Sequence, residues 1–528
     1  MSADPQRDPA TPDPTEPDPA TPDPTTPDPT ALDPAQAGLG DMDPEAFRRH
    51  GHAVVDWIAD YLAGVEHRPV LAQVSPGEIR AELPTAPPED PEPLPAMLAD
   101  LDRVILPGIT HWNHPAFHGY FAITGAGPGI LGEALTAALN VNGMLWRTSP
   151  SATELEAVVI DWLRQLLGMS EAWQGLLTDG ASTSTLLALA AARERTGLDV
   201  RQRGMAGRPD LPPLRVYTSE QAHSSVEKAA IALGIGRDGV RTIGVDEGFR
   251  MRPELLAEAI EEDVRFGYRP IAVVATVGTT ATTAVDPVEA IATVRDAAVA
   301  ELGHPIWLHV DGAYGAVLAI CEEHRHVLAG IERADSLVTN PHKWLFTPID
   351  ASVLLLRDPA ILSTAFSLVP DYLATEDDEV VDLMDYGVQL GRRFRALKLW
   401  MTLRYFGAEG LRRRLRDHVR QAARVAAWVE RHPDLELVVH PTMSTVVFRL
   451  RDLDPPADEE AARTAALDER SRALLRWLDR DGRVLLSGTV LDERHVLRLA
   501  LGNLRTTDAH LERTLATIAE GLVALDAG

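Results

Sequence analysis

Residues 335–346 read DSLVTNPHKWLF, a short apolar run followed by Asn340, Pro341, His342, Lys343 and Trp344. The run has the length of a strand and is bounded by polar residues and a proline, so it reads as a buried strand ending at the polar cluster. Comparable runs recur at LRVYTS (214–219), VRTIGV (240–245), IAVVATVG (271–278), IWLHVDGAYG (306–315) and ASVLLL (351–356), with helical segments between them. Near-continuous apolar strands alternating with helices predict an α/β fold whose mainly parallel sheet is covered on both faces. Ligands of such sheets bind beyond the C-terminal ends of the strands. Lys343 falls at such an end. A lysine amine desolvated there has a lowered pKa and suits Schiff-base formation with an aldehyde. A lysine on an exposed loop is the commoner case, so the reading needs company.

Two other stretches supply it. In IWLHVDGAYG the strand closes on Asp311, a carboxylate that is costly to bury unless it meets a cation, either a protonated ring nitrogen or an arginine. In LLTDGASTSTLLALAAARE (176–194) small and hydroxyl residues precede a helix of leucines and alanines. The N–H groups at that helix start, with the Ser182 and Thr183 hydroxyls, make an anion cradle, although Ser and Thr cap ordinary helices equally well. An aldehyde for Lys343, a protonated ring nitrogen for Asp311 and a phosphate for Ala181–Ser182 together describe pyridoxal 5′-phosphate.

The remaining composition bounds the alternatives. At 528 residues the chain is long enough for several folding units, and 50 − 78 gives a formal charge of −28. That charge makes nucleic acid or an anionic membrane an unexpected partner. The one cysteine, Cys321, lies in the apolar run AVLAIC, forms no intrachain disulfide and fits a reducing cytoplasm. No signal-peptide pattern or membrane-spanning run is read, and no metal site is expected. Residues 1–40, a Pro–Asp–Thr repeat, read as disordered tail. Residues 41–125 read as a helical segment, in which Phe47, Val54, Val55, Ile58, Tyr61 and Leu62 share one face that needs a partner surface. Residues 126–411 are expected to form the large α/β domain and 412–528 a smaller α+β domain. Helix 150–168 is expected to start on a Thr153–Glu156 capping box and to stop at Gly168.

Seven motifs in order, THWNHPAFHGYF (110–121), SPSATELE (149–156), YTSEQAHSSVEKAA (217–230), TVGTTATTAVDP (276–287), WLHVDGAYG (307–315), NPHKW (340–344) and LGRRFRALKLW (390–400), resemble the group II pyridoxal-phosphate decarboxylases. The pattern is closest to the aromatic L-amino-acid decarboxylases. The resemblance runs over about 45–410 and more weakly to the C-terminus. It implies the aspartate aminotransferase-like fold (fold type I), a homodimer with shared active sites, and carboxy-lyase activity on an aromatic L-amino acid. By position it implies that Lys343 holds the cofactor, Asp311 pairs with the pyridine nitrogen and His223 stacks on the ring. Ala181, Ser182 and Asn340 would bind the phosphate, Thr280 would contact the cofactor, and His342 would flank the lysine. Tyr372, in FSLVPDYLAT (366–375), would deliver the proton to Cα, and the acidic ATEDDE after it reads as a solvated lid.

Trp112, Tyr120, Phe121 and Ile123 match pocket positions, as do Asn142, Met144 and Gly391. Core packing is an equal reading for Trp112. The resemblance places Asn142 and Met144 against the partner subunit's site. Ala122, Ile123, Asn142 and Met144 depart from the usual residues there, and Gly391 makes room for a bicyclic ring, which favours a tryptophan-like substrate. Alternatives are a non-aromatic amino acid, decarboxylation coupled to oxidative deamination giving an aldehyde, and a non-catalytic cofactor-binding scaffold. No cationic or acidic residue for a charged side chain is found at the matched positions.

Overall fold

The structure is a computed structural model that describes residues 36, 38–368, 380–451 and 460–527. Its contacts divide into two units, residues 1–63 with 72–109, and residues 64–71 with 110–528. The first carries α1 (Pro44–Gly64), α2 (Glu78–Glu82) and α3 (Leu94–Asp100). On α1 only Ala46 is buried, while Phe47 and Val55 are exposed.

In the second unit, α4 (Gly127–Leu139) and α5 (Pro150–Leu166) precede β1 (Gln174–Thr178) and α6 (Ala181–Arg195). There follow α7 (Val200–Arg203), β2 (Leu214–Ser219), α8 (Ser225–Ala232), β3 (Val240–Ile243), α9 (Pro253–Arg265), β4 (Arg269–Thr276), α10 (Val288–Leu302) and β5 (Trp307–Asp311). Next come β6 (Ser336–Thr339), β7 (Ser352–Leu356), α11 (Ala360–Phe366) and α12 (Ala396–Arg431). The last part comprises β8 (Leu435–Val439), β9 (Thr445–Leu450), α13 (Glu460–Asp481), β10 (Ser487–Leu491), β11 (Arg494–Ala500) and α14 (Asp508–Ala527).

Seven strands form one sheet in the order β1-β7-β6-β5-β4-β2-β3. Pairs β6·β5, β5·β4, β4·β2 and β2·β3 are parallel, whereas β7 runs antiparallel to both β6 and β1. The sheet is therefore the expected mainly parallel one with an antiparallel margin. Successive side chains point to opposite faces of a strand. Val273, Leu308, Val310 and Leu337 accordingly pack toward α5, α9 and α10, while Val274, Trp307 and Leu354 pack beneath α6 and α8. Burial on both faces explains why these strands lack polar alternation.

The four-stranded sheet, β10-β11-β9-β8, is antiparallel. Phe448, Leu497 and Leu499 pack with apolar residues of α12, α13 and α14. The long α12 runs from the first sheet's layer to this one. It breaks at Gly407, whose φ of 63° lies in the left-handed region that glycine enters without steric cost.

Helix α5 corrects one expectation. Its cap is Ser149, whose Oγ accepts from the Ala152 N–H at 3.3 Å, and Pro150 takes the first helical position. Thr153 instead donates back to the Ser149 carbonyl, and Glu156 turns inward to an ion pair with Arg392 at 2.8 Å. Gly168 ends the turn with φ 75°, as read. Strand β1 and the two shorter strands of the small sheet, β8 and β10, were absent from the sequence reading. Among the described residues no helix is long and apolar enough to cross a membrane.

Candidate active site

Strands β4, β5 and β6 end side by side, with Thr276 opposite Asp311 and Asp311 opposite Val338 in register. Asp311 is buried, and its Oδ1 accepts from the Ala313 N–H at 3.0 Å. After β6, Asn340 donates its N–H to the Ala313 carbonyl at 3.1 Å, and Lys343 donates its own to the Asn340 carbonyl at 2.9 Å. This turn carries the half-buried Lys343 back toward β5, with Nζ 5.3 Å from the Phe121 ring centroid. Loss of hydration pulls the Lys343 amine below its ordinary pKa, and the Asp311 carboxylate opposes that shift.

His223 follows β2. Its Nδ1 accepts from the Ser225 N–H at 3.1 Å, which leaves Nε2 as the protonated nitrogen of the neutral ring. Desolvation lowers its pKa, Asp311 raises it and Lys343 lowers it further. The three groups are thus near enough for their charges to act on one another. His342 is buried with Nδ1 accepting from the Ala351 N–H at 2.9 Å, and burial, then Lys343, brings its pKa down to about 4.

The cradle is built by β1 running into α6. The first helical bond is from Ser184 N–H to the Gly180 carbonyl, so the N–H groups of Ala181, Ser182 and Thr183 precede the ladder. Ser182 is exposed, and a Cβ built on Gly180 would meet nothing within 4 Å, so space opens ahead of this helix start. Beyond β4, Thr279 is buried against Thr282 at 3.0 Å, while Thr280 stands exposed on the loop.

Buried polar atoms without a partner among the described residues recur along this strand-end margin. They include Ser219 Oγ, Thr276 Oγ1, Thr339 Oγ1 and Asn340 Oδ1. Buried polar groups are normally hydrogen-bonded, so such a cluster marks a place prepared for a polar ligand. With an amine at Lys343, a carboxylate at Asp311 and an anion cradle at 181–183, the donor set fits pyridoxal phosphate.

The pocket residues fall into two groups. Phe121 is buried, stacks on Tyr314 at 3.8 Å and faces Lys343. Ile123 is half-buried two residues on. Trp112 is half-buried against Phe117 at 4.3 Å and stacks on the exposed Tyr120 at 5.7 Å. Asn142, Met144 and Gly391 gather instead around Arg392. Asn142 Oδ1 accepts from the Arg392 N–H at 2.9 Å, its Nδ2 lies 3.4 Å from the Met144 sulfur, and a Cβ on Gly391 would sit 3.8 Å from that Nδ2. Tyr372 lies outside the described residues.

Arg498, on β11, is a candidate the sequence reading passed over. Its guanidinium lies 5.3 Å from the Phe121 centroid, donates from Nε to the Ala281 carbonyl at 2.8 Å and from Nη1 to Ser487 Oγ at 2.9 Å. Its Nη2 is buried without a partner among the described residues, and burial lowers its pKa to about 10. The signal was present: a cation interrupting the apolar run LRLAL.

Residues 76–451 match the pyridoxal-dependent decarboxylase conserved domain. The chain is 38% identical to a phenylacetaldehyde synthase of Arabidopsis thaliana, over 91% of this chain and 97% of that one. It is 39% identical to tyrosine decarboxylase 2 of the same plant, over 89% and 86%. The crystal structure of Catharanthus roseus tryptophan decarboxylase in complex with L-tryptophan superposes with a TM-score of 0.84 at 36% identity, covering 92% of this chain and all of that one. With a desolvated lysine and a buried carboxylate at neighbouring strand ends and similarity along nearly its whole length, the chain belongs to the pyridoxal-dependent decarboxylase family, with pyridoxal 5′-phosphate as its cofactor.

Proposed function

We propose that the protein decarboxylates an aromatic L-amino acid, with a tryptophan-like substrate favoured over phenylalanine, tyrosine or DOPA. The observation that carries the reading is the desolvated Lys343 amine over the face of Phe121, close enough to Asp311 and His223 for their charges to act on one another. Bound there, the cofactor supplies an aldehyde for amines and a ring that withdraws electrons from Cα.

The chain's own residues do the rest. Lys343 offers an amine whose lowered proton affinity keeps a larger share in the nucleophilic form. Asp311 holds a proton at the ring nitrogen. The N–H groups of Ala181 and Ser182, with Asn340, hold the phosphate end, Thr280 contacts the cofactor, and His342 fixes the turn before Lys343. His223 presents Nε2–H to the ring and substrate, while Arg498 turns its unpartnered Nη2 to the substrate carboxylate. Holding that carboxylate out of the ring plane selects which Cα bond weakens. Tyr372 delivers the proton to Cα, a role supported by its place in the sequence motif alone.

An aromatic side chain is supported by Phe121 and Tyr314, which stack to give a flat apolar wall. Gly391 supports a bicyclic one. A second reading, aldehyde formation, draws on the relative named a phenylacetaldehyde synthase, and Tyr372 opposes it.

The same proposal includes a homodimer. Leu131, Leu135 and Leu139 recur every fourth residue on α4 and are 54%, 49% and 57% exposed. Val158 and Trp162 on α5 are also open. Such an apolar stripe calls for a partner, and the chain leads from it directly into Asn142 and Met144. A second copy docked there would receive the Asn142–Met144–Gly391 group beside its own site. A cytoplasmic location is supported by the sole, buried cysteine.

Carbon dioxide release across a panel of amino acids tests the activity, with tryptophan expected to give the highest kcat/KM. Lys343→Ala should lose both turnover and the visible absorbance of bound cofactor. Activity retained in that variant would overturn the reading.

A further inference from the structure

Asp311 has a polar neighbour on its own strand that none of the assigned roles uses. His309 stands two residues earlier on β5, so its side chain rises from the same face of the sheet. That face is the one covered by α6. The imidazole is fully buried, and burial lowers its pKa to about 4, so it is neutral; Asp311 is the charged group whose field reaches it.

Its proton can be placed from its neighbours. Trp307 Nε1, which can only donate, gives its hydrogen to Ser336 Oγ at 2.8 Å. The Ser336 hydroxyl hydrogen then has His309 Nδ1 as its acceptor, also at 2.8 Å and directly across the strand pair. Nδ1 is therefore the bare nitrogen and Nε2 carries the hydrogen. That Nε2 is buried without a partner among the described residues. So is Thr276 Oγ1, on the residue paired in register with Asp311 and hence on the same face. A buried donor without an acceptor is costly, and two such groups beside Asp311 on one face of the sheet point to a shared acceptor there. The two Cα atoms are about 6.6 Å apart along the strand, and polar tips leaning together from one face need come only within about 5 Å of each other for a single water to bridge them.

We propose that His309 is the positioning residue for Asp311: its Nε2–H, together with the Thr276 hydroxyl, donates through one enclosed water to the carboxylate, holding it aimed at the cofactor's ring nitrogen. Donors aimed at an ionised carboxylate favour its charged form, and a carboxylate kept charged keeps the ring nitrogen protonated. The chain Trp307→Ser336→His309 fixes which imidazole nitrogen faces the site, as outer partners fix metal-bound histidines. This rests on the pairing of Asp311 with the ring nitrogen.

The test uses the cofactor-loaded enzyme and reads the rate at which the visible band is lost on dilution, together with kcat and KM. His309→Phe should release cofactor about tenfold faster and lower kcat at little-changed KM, while His309→Gln, which keeps a side-chain N–H, should recover most of both. In an Asp311→Asn background the His309→Phe effect should vanish, because a residue acting through Asp311 has nothing left to act on. A folded His309→Phe enzyme with wild-type release and kcat overturns the proposal, as does an undiminished effect in the Asp311→Asn background. Should His309→Phe not fold, Ser336→Ala carries the same expectation at about threefold, and wild-type behaviour there is equally fatal. If Asp311→Asn alone leaves release unchanged, the underlying pairing is what fails; if it speeds release while the His309 and Ser336 variants do not, only the present proposal fails.

Discussion

At the scale of single residues, the site is made of groups that their surroundings have made costly. Lys343 lost hydration, Asp311 was buried at a strand end, and Arg498 was enclosed with one nitrogen unpartnered. Gly391 is the contrasting case, since nothing closer than 3.8 Å opposes a side chain there. Gly391→Ser should therefore fold as well as the parent, with unchanged Tm, yet fill the room reserved for the larger ring. We expect kcat/KM for tryptophan to fall about tenfold relative to tyrosine, the size of effect that a small loss of apolar pocket space brings. Competition assays with the two substrates measure it directly. Lys343 and Asp311 were legible because each is a charged residue closing an apolar run. Arg498 showed itself only as a cation inside the apolar run LRLAL; its place at the site was not legible, because the approach of that strand of the small sheet to Phe121 is a tertiary fact. The Ser149 cap was misjudged for a related reason: Glu156 has an inward partner, Arg392, that lies far along the chain.

At the scale of elements, strands buried on both faces announced themselves as apolar runs, which is why β4 to β7 were legible, while β2 and the partly buried edge strand β3 were read from their β-branched residues. Strand β1 was hidden because QGLLT is short and merges into the helix signal after it. The antiparallel setting of β7 has no signature in its own residues. Helix packing was likewise invisible. Gly132 of α4 faces α12 so closely that a Cβ would lie 2.7 Å from the Lys398 Cα. Gly132→Ala should force these helices apart and cost about 1–3 kcal/mol by overpacking. Denaturant unfolding of the purified enzyme measures the loss; an unchanged midpoint would show that α4 shifts freely. Lys398 is itself buried and ion-paired to Glu133 of α4, so the displacement would strain that pair too.

At the scale of the whole molecule, two properties follow. In the proposed dimer the leucine stripe on α4 holds two copies together, so Leu135→Glu is expected to shift sedimentation from dimer to monomer and to reduce activity at least tenfold, since each site would lose the wall that proposal has it borrow. Stability should also depend on acid in a definite direction. His114, His118, His309, His342 and His418 are buried, and burial lowers each from 6.5 to about 4. Histidines depressed in the folded state favour folding above pH 6.5, and that contribution fades as pH falls from there toward 4. Each is worth on the order of 3 kcal/mol across that window. Calorimetric Tm should therefore fall steeply between pH 6.5 and 4.5, and a flat profile would contradict the assigned burial. One further outcome belongs to the order of synthesis. Strand β1, from which the helix proposed to hold the phosphate end departs, has β7 as its only sheet neighbour among the described residues, and β7 begins at residue 352. A nascent polypeptide halted before that point has already made both Asp311 and Lys343, but its β1 has no strand to join. Ribosome-bound fragments should therefore remain unable to retain the vitamin derivative until β7 has emerged from the exit tunnel, which places cofactor loading after about two thirds of the chain has been made.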